Sequence, residues 1–107
     1  MLPKIRRLPR PDFLHTKKTG ATQRFPDFNL IHCSSPRSYS RFAVVISAKI
    51  SKKAVVRNRL KRQIYAAVDK LPTTGDFIIF PHLSMLNLNN EDLNSKIHQA
   101  LSKISEF

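Results

Sequence analysis

The sequence predicts a single small α+β domain. Two apolar runs of strand character, Phe28–Cys33 (FNLIHC) and Arg41–Ser47 (RFAVVIS), precede a long helical pattern over residues 53–71. A third run, Asp76–Phe80 (DFIIF), follows that helix, and an amphipathic helix from Asn90 to Ile104 closes the pattern. Strands followed by helix, strand and helix form a layered α+β arrangement around one core. A length of 107 residues suits one domain with a modest core.

Residues 1–11 hold three prolines and four basic residues. They read as an extended basic arm ahead of a domain spanning 12–107. A short helix is expected from Pro11 to Lys18, with Pro11 at its first position, Gly20 past its end and Phe13 turned inward. Ser34-Ser35-Pro36-Arg37-Ser38 is a turn signal between the first two strands. The apolar stretch Ala43–Ile46 predicts burial on both faces or a central place in the sheet. Thr74-Gly75 introduces the third strand and Pro81 stops it. In the closing helix, Leu93, Ile97, Ala100, Leu101 and Ile104 recur at helical spacing on one stripe. Asn89 or Asn90 can cap that helix, and Glu91 and Asp92 suit the positive end of its dipole.

Formal net charge is +12, from 19 Lys and Arg against seven Asp and Glu. Residues 1–68 carry 16 of those bases and only Asp12 and Asp27, a net of +14, whereas residues 69–107 are net −2. Self-repulsion of this size stabilises no fold, so it points to a polyanionic partner. Cys33 is the single cysteine, which excludes an intrachain disulfide and a cysteine-based metal site. A reducing, cytoplasmic setting fits, and Cys33 is expected to be a small buried residue. No run is long enough to span a bilayer. The segment MLPKIRRLPRP lacks the apolar stretch of a secretory signal.

The charge concentrates on AVVRNRLKRQIYAAV, Ala54 to Val68. At 100° per residue, Val56, Leu60, Ile64, Ala67 and Leu71 share one side. Asn58, Arg59, Lys61, Arg62 and Tyr65 fall on the opposite arc, with Arg57 at the border. A solvated helix face usually mixes signs, because acid–base pairs one turn apart support it. Here Lys53, Arg57, Arg59, Lys61 and Arg62 meet no acid before Asp69. Arg bonds phosphate through two parallel N–H groups and stacks on bases. Asn58 adds a donor and an acceptor, and Tyr65 offers a ring. The apolar face is needed for the core, so a folded nucleic acid fits this surface better than a lipid.

Ala54-Val55-Val56-Arg57-Asn58-Arg59-Leu60-Lys61-Arg62, directly after a strand and the turn Ala48-Lys49-Ile50-Ser51-Lys52-Lys53, resembles the signature helix of bacterial ribonuclease P protein subunits. Arg7-Leu8, Asp12-Phe13 and DFIIF have counterparts in that family. The turn is one residue longer than usual, and Tyr65 stands where the family often carries Arg. The resemblance implies an α/β sandwich with a central, mostly antiparallel sheet. It also implies a basic helix in a βαβ crossover of left-handed connection, a C-terminal amphipathic helix and a short N-terminal helix. The activity it implies is removal of the 5′ leader from precursor tRNA, with catalysis and Mg²⁺ held by the RNA subunit. It implies a monomer within a ribonucleoprotein, in which Arg57, Asn58, Arg59, Lys61 and Arg62 face ribonuclease P RNA; Tyr65, from its place on the charged arc, is expected to join them. Lys49, Lys52 and Lys53 would add phosphate contacts. Phe13, Phe28 and Leu30 would line a cleft for the precursor's leader. Phe13 and Phe28 also read equally well as plain core residues.

The other chemistry the chain could carry is sparse. His15, His32, His82 and His98 have no metal-ligand spacing. No Gly-rich phosphate loop exists, since Gly20 and Gly75 are the only glycines. Seven scattered acids give no cluster for a nuclease's metals, so no residue of the chain is assigned catalysis. The alternative of similar size and charge is a small ribosomal or other structural RNA-binding protein.

Overall fold

The computed structural model describes residues 6–69 and 74–104. The elements run α1 (Arg10–Thr19), β1 (Ala21–Arg24), β2 (Phe28–Cys33), β3 (Ser40–Val44), α2 (Ala54–Asp69), β4 (Gly75–Pro81), a 3₁₀ turn (Leu83–Asn87) and α3 (Asn90–Ile104). The strands form one sheet in the order β1-β2-β4-β3. β1–β2 and β2–β4 are antiparallel, β3–β4 is parallel, and α2 makes the crossover between β3 and β4. The α+β architecture and its βαβ unit are as expected.

One face of the sheet builds the main core. Phe28, Leu30, Phe42, Val44, Phe77 and Ile79 point into it, beneath Leu60, Ile64, Tyr65, Ala67 and Val68 of α2. Leu93, Ile97, Ala100, Leu101 and Ile104 of α3 complete it. Burying each Leu or Ile removes apolar surface worth about 1.5–3 kcal/mol from water. α3 has the predicted boundaries. The Asn89 side-chain oxygen accepts from the Asp92 N–H at 2.8 Å, which caps its first turn. Gln63 donates to Asn90 at 2.8 Å and ties α2 to α3.

The opposite face carries α1. Buried Arg41 of β3 sends its guanidinium to Asp12 of α1 at 2.9 Å. The same group bonds both oxygens of Asp76 of β4, at 3.0 and 2.8 Å. At the other end of α1, the Gly20 N–H donates to the Thr16 carbonyl at 2.8 Å. A Cβ on Gly20 would lie 2.8 Å from both the His32 carbonyl and the Ile31 side chain, so glycine permits that close approach. Gly75, at φ +111°, begins β4 in a conformation other residues avoid.

Several expectations are corrected. β1 (Ala-Thr-Gln-Arg) has no counterpart in the sequence reading, because all four residues are exposed on the sheet edge and no apolar alternation marks them. β3 lies at one end of the strand order, not its centre, and ends at Val44, and Val45 is 37% exposed. α1 begins at Arg10, inside the segment read as an arm. Residues 6–8 also belong to the fold. Arg7 bridges to Phe42 in parallel fashion, and the Leu8 N–H donates to the Phe42 carbonyl at 3.0 Å. The expected end of α2, at Leu71 and Pro72, lies outside the described residues, as do residues 1–5 of the arm.

Candidate nucleic-acid interface

The turn before α2 is built from serines. The Ser47 hydroxyl accepts from the Lys49 N–H at 3.1 Å, and the Ser51 hydroxyl accepts from the Lys53 N–H at 3.2 Å. Short hydroxyl turns of this kind hold a chain tightly between two elements. Lys53 then offers its carbonyl to the Arg57 N–H, the opening bond of α2. No acid sits in the first turn of the helix. The positive end of its dipole therefore adds to the charges of Lys52 and Lys53, a combination that attracts phosphate.

Along α2, Asn58, Arg59 and Arg62 are exposed, and Arg57 and Lys61 are half-buried at the flank. Lys49, Lys52 and Lys53 are exposed at the helix start. Among the described residues, none of these seven bases forms an ion pair; the pairs present join Arg6–Asp69, Arg41–Asp12, Arg41–Asp76 and Lys96–Asp27. Leu60, Ile64, Ala67 and Val68 lock the other side of the helix into the core. A rigid mount with an uncompensated array of donors is what recognition of a structured polyanion requires.

Tyr65 does not belong to this array. It is 5% exposed and packs in the core. Burial pushes its phenol above the ordinary value, opposed by a hydrogen bond to the Val44 backbone. Its wheel position lies on the charged arc, yet the sheet reaches far enough around α2 to cover it. Lys61 lies 6.0 Å from the centre of its ring, on the solvent side.

The two strand residues expected in a leader cleft are also placed elsewhere. Phe28 is 2% and Leu30 0% exposed, both under α2 and α3. Side chains alternate faces along a strand, so the α1 side of β2 is presented by Asn29, Ile31 and Cys33. Register then sets three transverse rows on that face. Arg41, Asp76 and Cys33 form one, and Ala43, Ile78, Ile31 and Thr22 the next. The third is Val45, Phe80, Asn29 and Arg24, with the Val45 N–H bonding the Ile79 carbonyl at 2.9 Å. Ile78 is fully buried, whereas Phe80 and Asn29 are half-buried and Val45 and Arg24 exposed. The open strip beside α1 is therefore this last row. Phe13 of α1 is half-buried. The strip escaped the sequence reading because it depends on the unseen β1 and on register; the alternation within DFIIF, which splits Phe77 from Phe80, was its one visible trace.

Among the described residues, no three His, Cys, Asp or Glu side chains gather as a metal-ligand set, and no helix is long and apolar enough to cross a membrane. Cys33 is half-buried.

The family described as Ribonuclease P matches residues 2–105. The ribonuclease P protein component of Microcystis aeruginosa is 47% identical over 75 residues, 65% of this chain and 62% of its own length. That of Rippkaea orientalis is 42% identical over 76 residues, 63% of this chain and 58% of its own. The chain thus spans about three-fifths of the length of these curated relatives. Among solved structures, the RNase P protein of Thermotoga maritima superposes with a TM-score of 0.81 at 24% identity, over 91% of this chain and 96% of that one. A Staphylococcus aureus RNase P protein mutant gives 0.84 at 20% identity, over 94% and 89%. These likenesses establish the shared fold, and with the match over nearly the whole length they lead to one conclusion: the chain belongs to the Ribonuclease P protein family.

Proposed function

We propose that this chain acts as the protein component of ribonuclease P, an endoribonuclease that removes the 5′ leader of precursor tRNA. The observation that carries the reading is the row of seven bases on and before α2, with no acid among the described residues paired to any of them and the helix fixed to the core behind them. Arg57, Asn58, Arg59, Lys61 and Arg62 bind the RNA subunit, and Lys49, Lys52 and Lys53 bind its phosphates at the helix start. Tyr65 holds the helix in place from below.

The precursor's single-stranded leader lies in the strip between α1 and the sheet, against Phe13, Phe80, Asn29, Val45 and Arg24. Aromatic and apolar surfaces stack on unpaired bases with little sequence preference, which suits a variable leader. In this reading Mg²⁺ and the hydrolytic step belong to the RNA subunit and substrate, and the protein supplies binding surfaces. The protein works as one copy within a cytoplasmic ribonucleoprotein.

The test is reconstitution with the ribonuclease P RNA of the same source at low Mg²⁺, following leader removal. Faster cleavage than with RNA alone is expected. Tight RNA binding without faster cleavage would overturn the reading in favour of a structural RNA-binding protein.

A further inference from the structure

Arg41 is held by more than it needs. Its Nε and Nη2 groups bond the two oxygens of Asp76, its register partner on the adjacent strand, and this alone satisfies the charge of the guanidinium. Its remaining nitrogen, Nη1, reaches out of the sheet to Asp12 at 2.9 Å. The arginine side chain is 5% exposed and that of Asp76 10%, whereas Asp12 is 42% exposed. A second carboxylate beside a paired Arg–Asp couple adds repulsion within the cluster, and surface ion pairs contribute little to stability. What Asp12 does add is a fixed link between the first turn of α1 and the middle of the sheet. Gly20 presses the last turn of the same helix onto Ile31 and His32. Pinned at both ends, α1 packs against β2 and β4, on a face where Ile78 is buried and Phe80 half-buried.

We propose that the Asp12–Arg41 ion pair is a positioning device for the single-stranded 5′ extension: it sets where α1, and with it Phe13, stands relative to Phe80. This inference rests on the leader-groove reading above. A groove that grips bases depends on spacing at the scale of one ring, so a loosened helix loses affinity without losing any contacting residue. The expected sign is also distinctive. Removing a negative charge beside a bound polyanion strengthens binding when charge alone matters, whereas loss of positioning weakens it.

The experiment compares the holoenzyme containing wild-type protein with those containing Asp12→Ala and Asp12→Glu. For each, affinity is measured for a precursor tRNA and for the same tRNA without its leader, together with affinity for the RNA subunit and the melting temperature of the protein. The ratio of the first two affinities, the leader gain, is the readout. Asp12→Ala is expected to lower it about tenfold, the scale of one charge-assisted bond. Asp12→Glu recovers part of it, and RNA-subunit affinity stays within about twofold in both variants. An unchanged or increased leader gain in Asp12→Ala overturns the positioning role and leaves the groove reading standing. Equal losses of leader gain and RNA-subunit affinity also overturn it, because they mark a general structural defect. No leader gain in the wild-type holoenzyme overturns the groove reading and this inference together.

Discussion

Tyr65 and Lys61 lie one helical turn apart, and the sheet treats them differently. The ring of Tyr65 is covered by β3 and its hydroxyl meets the Val44 backbone, while the amine of Lys61 stays at the solvent edge above it. Tyr65→Phe keeps the ring and removes one hydrogen bond, so it should cost about 1 kcal/mol of stability in urea denaturation. Its RNA affinity should match the wild type, and a large loss of affinity would return Tyr65 to the interface. A helical wheel places side chains by angle alone and has no knowledge of how far a neighbouring sheet wraps around. For the same reason Arg57, Asn58, Arg59, Lys61 and Arg62 were legible, since uncompensated charge on one arc needs no tertiary information. Phe28 and Leu30 were misplaced because a strand's period of two says which residues share a face, not which face meets which helix.

At the scale of elements, buried charge does the joining. The guanidinium of Arg41 is raised above its ordinary value, first by its hydrogen bonds to Asp76 and then by Asp12, against the cost of burial. Arg41→Ala leaves the Asp76 carboxylate uncompensated in a nearly closed space, and a loss of about 3–5 kcal/mol is expected. Chemical denaturation measures it directly, and a loss below about 1 kcal/mol would mean that water already satisfies the site. Arg6 performs a related task. It donates to the Asp69 carbonyl at 2.8 Å and to the Asp69 carboxylate at 3.0 Å, and so ties the last described turn of α2 to the segment ahead of α1. Neither Arg6 nor Arg41 could be assigned a partner from sequence, because each reaches at least 29 residues along the chain for its contacts. The two main helices were legible because α3 carries a complete apolar stripe with a cap, and α2 a core face at helical spacing.

At the scale of the whole molecule, stability should fall in two steps on acidification. Burial holds the His32 imidazole below its ordinary 6.5. The unfolded chain therefore takes up that proton first, so stability is level above about pH 6.5 and declines below it. The Lys96 amine, with the Ser84 hydroxyl, holds the Asp27 carboxyl below its ordinary 3.8. That contribution is present above the unfolded value and is lost as pH falls through the folded one. Thermal midpoints across pH 3–8 should show both declines, with His32→Gln flattening the upper and Asp27→Asn the lower. A wild-type midpoint constant from pH 7 to pH 5 would contradict the lowered His32 imidazole.

The division of α2 into a core face and an RNA face is the claim on which the rest stands. Affinity of the protein for ribonuclease P RNA, measured for the wild type and for Arg57→Ala/Arg59→Ala beside their melting temperatures, tests it most directly. Each lost contact is expected to cost about 1–3 kcal/mol, so the double variant should bind at least about 30-fold more weakly while melting within about 2 °C of the wild type. Equal affinity would remove α2 from the interface, and a collapse of melting temperature in step with affinity would make these arginines part of the scaffold instead.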